Sequence, residues 1–443
     1  MQEPLWTCIP FVGMLLCIAL FPILNPSVWE RRMPVITGFW SILAIFLLSV
    51  KYGIFSGIET AADGIVNDYL TFIVLLFGLY CVAGNIRFEG DLAGSPRVNV
   101  LLLLLGTLLS SFIGTTGSSM LMIRPVIQMN SWRSRRSHIM IFFIFLISNL
   151  GGCLTPVGDP PLLMGFMQGV PFLWSFRLFP IMMINAVILL FIFYRIDRKA
   201  YRKDIEEGYR PDLHTPETSL KIEGLHNLLF LVMIIFAVLI SGILPNYAAF
   251  KGKGIPITKT LMFPLTSIVE VAIILIAAWL SFKTTPIEVR RRNHFTWGAI
   301  QEVAVLFIGI FITMQPALIV LKHLGPQMDI DKPYQMFVLT GLLSSFLDNT
   351  PTYMVFLTTA GSLHFAHGIS TLLGTVPVNM LEAISCGAVF MGANTYIGNA
   401  PNFMVKSMSD ENGIRMPSFF GYMKWSLGIL CPVYLLDILL FFH

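Results

Sequence analysis

The chain has 443 residues, of which 55% are hydrophobic and only 12% charged, and its formal net charge is +4. So many apolar residues exclude a soluble globular protein and predict a polytopic membrane protein whose surroundings are the lipid bilayer. The small net charge gives no reason to expect a nucleic-acid partner. The six cysteines lie in apolar segments, so the sequence indicates neither a disulfide framework nor a metal cluster, and we expect no cofactor.

Three apolar runs, each long enough to cross about 30 Å of hydrocarbon, open the chain. They begin near Cys8, Pro34 and Tyr69. The next hydrophobic stretch, about 98–123, is interrupted by the small polar residues from Gly114 to Ser119. This interruption predicts a re-entrant hairpin whose tip lies at membrane depth.

The segment that follows, about 139–170, predicts a helix that is broken inside the membrane. From Ser148 to Met164 it reads SNLGGCLTPVGDPPLLM, which is rich in glycine and proline. Proline removes a backbone donor and glycine adds chain entropy, so a continuous helix is disfavoured here. The freed backbone groups need partners at membrane depth. Asp159 lies inside this break, and an ionisable residue in such a position indicates a functional site.

One more span, from about Leu178 to Tyr194, completes a first half, residues 1–194, and the polar residues 195–225 predict a cytoplasmic linker. The second half, residues 226–443, repeats the order of elements. Its elements are spans near 226–244, 263–282 and 298–321, a hairpin at about 335–360, a broken helix at about 380–405 and a last span from about 419.

Two pairs of motifs support an internal duplication. Thr155–Met164 matches Thr395–Met404, and Ser110–Met120 matches Ser344–Met354, in the same order and at nearly the same offset. Each copy has five spans, one of them broken, plus one hairpin, which gives about ten full spans in an all-α protein. Because five is odd, the two copies are predicted to be inverted repeats, an arrangement typical of secondary transporters.

The distribution of charge predicts the topology. Most of the 29 basic residues fall in the segments that are cytoplasmic if the N-terminus lies outside. The positive-inside rule therefore favours both termini outside, with the first hairpin opening inward and the second outward. We expect a multi-pass protein of the bacterial inner membrane.

The second hairpin tip carries the clearest cation-binding chemistry. Asp348, Asn349 and Thr350 place a carboxylate, an amide oxygen and a hydroxyl on consecutive residues. Hard oxygens suit Na+, and the carboxylate can also take a proton. The alternative is a helix N-cap before Pro351. We favour function because the second break supplies a partner set, consisting of Asn394, Thr395 and Asn399.

In the first copy the acid lies in the break instead of at the tip. Asp159 with Asn149 and Thr155 can form a second oxygen-rich cluster, or Asp159 can cap the helix that starts at Pro160. Both roles are compatible with the sequence.

The first tip is rich in hydroxyls and predicts contacts to a substrate. Its candidate residues are Thr115, Thr116, Ser118 and Ser119. Arg124, the basic residue predicted away from the loops, could hold an anionic substrate through a bidentate contact. Alternatively, it extends to the cytoplasmic surface, and we slightly prefer this interpretation.

With these motifs in view, the chain resembles the ion-transporter superfamily, and most closely its sodium/proton antiporter or citrate transporter branch. The resemblance rests on Leu347–Thr352, Asn149–Gly152, Thr155–Pro161 and Asn394–Gly398. It implies an elevator-like motion of the hairpins and broken helices against the outer spans, often in a homodimer.

Two transport functions follow, and sodium/proton antiport is the leading one. Na+ and protons would compete for Asp348 and Asp159, so that neither ion crosses without the other. The alternative is Na+- or proton-coupled carriage of citrate or a dicarboxylate. An intramembrane enzyme is disfavoured, because the sequence around Asp159 is Pro-Val-Gly-Asp instead of the Gly-x-Gly-Asp of membrane aspartyl proteases, and no His-Glu-x-x-His zinc motif occurs.

Overall fold

The computed structural model describes residues 4–89, 93–210, 221–258, 261–293 and 295–443. In these residues, eight helical stretches are long and apolar enough to cross a membrane, and Leu5–Phe21 and Asn227–Ile243 are shorter apolar helices. The predicted class, an all-α polytopic membrane protein, is confirmed. The second broken helix is not among the eight because its two pieces have only 14 and 12 residues.

The helices of the first half follow the predicted order. They are α1 (Ile9–Leu24), α2 (Pro26–Tyr52), α3 (Ile54–Asp63), α4 (Leu70–Gly84), α5 (Pro96–Ile113), α6 (Thr115–Met129), α7 (Ser137–Leu146), α8 (Pro160–Met167) and α9 (Phe179–Glu206). A π-helical segment, Gly64–Tyr69, connects α3 to α4. Hairpin 1 is therefore α5 and α6, and the first broken helix is α7 and α8, separated by break 1 (residues 147–159).

The second half has the same sequence of elements. Its helices are α10 (Asn227–Ile243), α11 (Leu265–Thr284), α12 (Ile287–Arg292), α13 (Gly298–Leu324), α14 (Pro333–Ser344), α15 (Asn349–Ser362), α16 (Val378–Met391), α17 (Ala400–Glu411) and α18 (Phe419–Phe441). Hairpin 2 is α14 and α15, and break 2 (residues 392–399) separates α16 from α17.

Three short antiparallel strand pairs connect helices outside the apolar spans. They are β1 (Arg87–Glu89) with β2 (Lys221–Glu223), β3 (Gly254–Pro256) with β4 (Met262–Pro264), and β5 (Ile369–Thr371) with β6 (Gly374–Val376). In the first pair Arg87 lies opposite Glu223, so this ribbon joins the first half of the chain to the predicted linker.

The predicted linker, residues 195–225, starts earlier than the structure supports. Helix α9 continues to Glu206, and residues 211–220 of the linker lie outside the described part. The polar end of α9 stays helical because it carries buried carboxylates. Asp197 and Asp204 are each 0% exposed and form ion pairs with Arg133, at 2.5 and 3.2 Å.

The first broken helix lies at the centre of the molecule. Of the residues 137–154, 94% are buried inside the protein, compared with 28% in the best apolar window of α11. The outer helices therefore present their apolar side chains to lipid, whereas the breaks are enclosed by protein. This is the environment in which irregular backbone is tolerated at membrane depth.

Equivalent hydrogen bonds fasten each break to its own hairpin. Thr155 Oγ1 donates to the carbonyl of Ser111, and Thr395 Oγ1 donates to the carbonyl of Ser345. Ser111 Oγ in turn donates to the Gly151 carbonyl. The two copies thus share local geometry at the positions that the sequence pairs. Their relation by an axis in the membrane plane stays a prediction.

Candidate functional site

The two hairpin tips meet at one buried carboxylate. Asp159, at the end of break 1, is 1% exposed. Its Oδ1 accepts a hydrogen bond of 2.8 Å from Thr115 Oγ1, and its Oδ2 accepts one of 3.0 Å from Asn349 Nδ2. Thr115 is the first residue of α6, and Asn349 is the first residue of α15. We call these three residues the Asp159 site.

Glycine makes this approach of hairpin 1 to break 1 possible. Gly114 turns the chain at the tip with φ of 81°, a conformation that residues with a side chain rarely adopt. The amide of Thr115 then donates to the Gly158 carbonyl over 2.9 Å. A β-carbon on Gly158 would lie 2.3 Å from the carbonyl oxygen of Gly152, so the loop can fold this tightly only with glycine.

The donors around Asp159 suit an ionised carboxylate, because hydrogen bonds to a charged acceptor are the stronger kind. In the described residues, no ion pair involves Asp159. Within the described residues its negative charge is therefore stabilised by neutral donors, Thr115 and Asn349 together with the nearby Asn399, and a transported cation could add to that stabilisation.

The Ser344 hydroxyl can form a hydrogen bond with either the oxygen or the nitrogen of the Asn349 side-chain amide. Ser344 Oγ lies 2.6 Å from Asn349 Oδ1 and 2.7 Å from the carbonyl oxygen of Ala388. A hydroxyl has one proton, so Ser344 donates to one of these oxygens at a time. When it donates to Ala388, it can accept from the Asn349 amide nitrogen. The amide could then turn its oxygen toward Asp159 without losing a partner.

A layer of asparagines lies beside the Asp159 site. Asn149 Nδ2 donates to Asn402 Oδ1 over 2.7 Å, and Asn399 Nδ2 donates to Asn149 Oδ1 over 3.3 Å and to the Ser148 carbonyl over 3.0 Å. A β-carbon built on Gly392 would lie 2.4 Å from Asn349 Oδ1 and 3.0 Å from Asn149 Oδ1, which places the layer next to Asn349.

Sequence reasoning missed Asn402, although it is fully buried and links the two breaks. Its Nδ2 donates to the carbonyls of Gly392 and Thr395 over 2.8 and 2.9 Å. The available signal was its position directly after Pro401, at the point where the second break returns to helix.

Asp348 lies at the tip of hairpin 2, the position that the sequence predicts. It caps α15, because its Oδ1 accepts from the amide of Thr350 over 3.1 Å, and it is partly exposed. The N-cap alternative therefore describes its contacts, and Asn349 is the residue that reaches Asp159.

Several predicted site residues instead hold the framework together. The hydroxyls of Thr155 and Thr395 fasten the breaks to the hairpins, as described above. Asn394 Nδ2 donates to Ser345 Oγ over 2.8 Å, and its Oδ1 is buried and has no hydrogen-bond partner in the described residues. Of this group, only Asn394 keeps a free oxygen that could contact an ion.

The residues predicted to contact a substrate separate into two groups. Thr115 and Thr116 line a cavity at the tip of hairpin 1. Ser118 Oγ donates to the Gly106 carbonyl, and Ser119 Oγ lies 2.8 Å from Ser148 Oγ, so both hydroxyls are used in packing between elements.

Arg124 also lies away from the Asp159 site. It is nine residues beyond the tip of hairpin 1, and its Nη1 donates to the Arg292 carbonyl at the end of α12 over 2.9 Å. The structure thus agrees with the interpretation in which Arg124 extends toward the loops.

The cavity at hairpin 1 has a volume of about 630 Å³, including the part that is open to the surroundings. Thr115 and Thr116 form part of one side. Helices α4 and α13 close the opposite side with apolar side chains that include Leu79, Ile300 and Val303. It therefore lies between the outer spans and the hairpin that contacts Asp159.

This arrangement of hairpins and broken helices agrees with a comparison with known families. A family model described as "Putative citrate transport" matches residues 1–442. The chain belongs to this family. Membership in the citrate-transport family confirms the resemblance to the citrate transporter branch and shows a multi-pass membrane protein of a transporter class. No curated protein matches the chain significantly.

Proposed function

We propose that this member of the citrate-transport family is an ion-coupled secondary transporter that exchanges Na+ for protons at Asp159. The supporting observation is that Thr115 and Asn349, at the tips of the two hairpins, donate to the same buried carboxylate. A bound ion at this point would contact both halves of the chain at once.

Competition for one carboxylate would couple the two ions. Na+ requires the ionised form of Asp159 and oxygen ligands around it, whereas a proton neutralises the same group. Carrying either ion across would satisfy the buried charge, and returning empty would leave it stabilised by neutral donors only. Empty return is therefore disfavoured, which is the condition for exchange.

Asn349 would adapt the site to each occupant. In the structure its amide nitrogen donates to Asp159 Oδ2, the orientation that suits an ionised carboxylate. With Na+ bound or Asp159 protonated, the amide would turn its oxygen toward the ion or the acid proton. Ser344 allows both orientations because its proton can go either to Asn349 or to Ala388.

An elevator-like motion requires the hairpins and breaks to move as one body. Buried polar contacts support this for the first half. Asn99 of α5 and Asn130 after α6 form a reciprocal amide pair, with distances of 3.0 and 2.8 Å, and Asn99 also donates to Asp197 of α9 over 3.0 Å. His138 of α7 lies 2.8 Å from the same Asp197. Hairpin 1, α7 and α9 are thereby joined at one end.

Replacement of Asp159 by asparagine tests the proposal. Asp159→Asn keeps the shape and removes the titratable charge, so Na+-driven proton movement in proteoliposomes should be abolished. Asp437→Asn is the matched control. Asp437 of α18 is also a fully buried acid, but its carboxylate accepts a hydrogen bond from Asn185 of α9. Retention of exchange in Asp159→Asn would refute the assignment.

Coupled carriage of citrate is a second candidate, and the description of the matching family favours it. The observation against it is that Arg124 donates to Arg292 and lies away from Asp159. A citrate trianion would then depend on bound cations and backbone amides for positive charge.

The two candidates differ in what starts the flux. In liposomes that contain the purified protein, external Na+ alone should move protons outward if the protein is an antiporter. A citrate carrier should stay silent until citrate is added. Arg124→Gln should leave either flux largely intact, because Arg124 lies away from the Asp159 site. We expect movement without citrate and an Arg124 variant that keeps much of it. Proton movement that begins only with citrate would refute antiport.

A further inference from the structure

The segment between α11 and α13 lies at one surface of the membrane. Helix α11 is a candidate span that ends at Thr284, and the next candidate span begins at Ile300. The segment between them therefore starts and ends at the same membrane surface. Trp279 and Trp297, on either side of it, are 59% and 44% exposed. Tryptophan is enriched where lipid headgroups meet hydrocarbon, so these two side chains mark that level.

The same segment is strongly basic. Residues 283–292 carry four basic side chains and one acidic side chain, Glu288, which gives a net charge of +3. Arg292 forms an ion pair with a glutamate of β2 over 3.1 Å. In the described part of the chain, no ion pair involves Lys283 or Arg290. Two positive charges at the membrane surface are therefore available to an anion.

Aromatic rings hold both cations in place. Lys283 Nζ lies 5.1 Å from the ring centroid of Trp279, and the guanidinium carbon of Arg290 lies 4.7 Å from that of Phe282. Arg290 Nη1 also donates to the Phe282 carbonyl over 3.0 Å. Phe282 is itself stacked on Trp297, with ring centroids 5.5 Å apart. Cations that are already oriented in this way lose little conformational freedom when they bind an anion.

The chemistry of this surface selects an anion that carries hydrocarbon. Ile287 of α12 is 51% exposed, so apolar area adjoins the cations as it does at Trp279. A free phosphate ion would use only the two cations. A zwitterionic lipid carries its own ammonium group, which neutralises its phosphate. A lipid with a net negative headgroup gains from the cations and from the apolar area together.

We propose that the surface formed by Lys283, Arg290 and Trp279 binds the headgroup phosphate of an anionic phospholipid, of the phosphatidylglycerol class. Lys283 and Arg290 would donate to the phosphate oxygens, and the acyl chains would lie along α11. Arginine has five N–H groups, and Arg290 uses one of them on the Phe282 carbonyl, so others remain for the phosphate. The inference does not depend on which ion or substrate the protein transports.

Lipid binding to the purified protein in detergent tests the proposal. Native mass spectrometry counts the lipids that bind when phosphatidylglycerol, or phosphatidylcholine with the same acyl chains, is added. A basic group near an anionic lipid surface contributes roughly fivefold in affinity, so two contribute roughly 25-fold. The first phosphatidylglycerol should therefore bind roughly 25-fold more tightly than the first phosphatidylcholine. Equal affinity for the two lipids would overturn the inference.

Substitutions assign the binding to this surface. Lys283→Gln changes an exposed side chain and should lower the affinity for phosphatidylglycerol roughly fivefold, and adding Arg290→Gln should lower it roughly 25-fold in total. Lys283→Arg keeps the charge and should retain binding. Lys51→Gln is the matched control, because Lys51 also lies over an aromatic ring, 6.0 Å from that of Tyr52, but at the predicted exterior end of α2. It should bind phosphatidylglycerol as the unmodified protein does.

Three results would overturn the assignment. A preference for phosphatidylglycerol that survives the double substitution would place the anionic lipid elsewhere on the protein. An equal loss in Lys51→Gln and Lys283→Gln would show general charge attraction instead of a site. Displacement of the lipid by inorganic phosphate at the same concentration would show that the surface binds free phosphate instead of a membrane lipid.

Discussion

Thr115→Val is the most direct measure of how hairpin 1 contributes to the Asp159 site. The substitution keeps the branched shape and the start of α6, and it removes one hydrogen bond of 2.8 Å to a buried carboxylate. A hydrogen bond to a charged group contributes about 1.5–3 kcal/mol. This corresponds to roughly 10- to 150-fold in an equilibrium constant. Because Na+ needs the ionised form of Asp159, the Na+ concentration for half-maximal proton movement should rise by that factor.

The control for this experiment lies in the same hairpin. Thr107 is 0% exposed, but its hydroxyl donates to the Leu103 carbonyl within α5. Thr107→Val should therefore leave the Na+ dependence unchanged. Both variants are measured in proteoliposomes with a pH-sensitive dye in the lumen. An unchanged Na+ dependence in Thr115→Val, or an equal shift in Thr107→Val, would refute the reasoning.

Three further predictions concern hairpin 2, the buried ion pairs and the topology. Asp348→Asn retains a good helix cap. If the carboxylate binds ions, this variant should insert normally into the membrane and lose Na+-driven flux. Full flux would show that Asp348 acts only as a helix cap. Arg133→Met removes the buried cation that pairs with both Asp197 and Asp204, and although Asp204 keeps Arg135, the loss should destabilise the purified protein by about 3–5 kcal/mol. Arg135→Gln, at a side chain 37% exposed, leaves both carboxylates paired with Arg133 and should change the thermal stability in detergent only slightly. A reporter fused after His443 should be accessible from outside intact cells, and protection there would reverse the predicted orientation.

The order of the elements could be predicted from the sequence, for simple physical reasons. Clustered glycines and prolines disfavour a continuous helix, because proline removes a backbone donor and glycine adds chain entropy, so breaks 1 and 2 and the tip at Gly114 are visible in the amino-acid order. The structure begins α8 at Pro160 and ends α5 at Ile113, close to those signals. By contrast, the polar end of α9 read as a linker, because its helicity depends on a distant partner, Arg133.

The membership of the site depended on tertiary structure. Asp348, Asn349 and Thr350 are adjacent in sequence, and a pattern cannot tell which of them faces the other copy. The start of α15 decides this. Asp348 is the cap residue, and its carboxylate accepts a hydrogen bond from its own helix, whereas the side chain of Asn349 points away from the helix toward Asp159. Likewise, Ser118 and Ser119 belong to the same polar run as Thr115, yet the turn of α6 directs them into packing contacts. The sequence by itself determined that polar chemistry lies at the breaks and tips, because such groups are costly in lipid. Only the packing of both hairpins against break 1 determined that Thr115 and Asn349 bind Asp159.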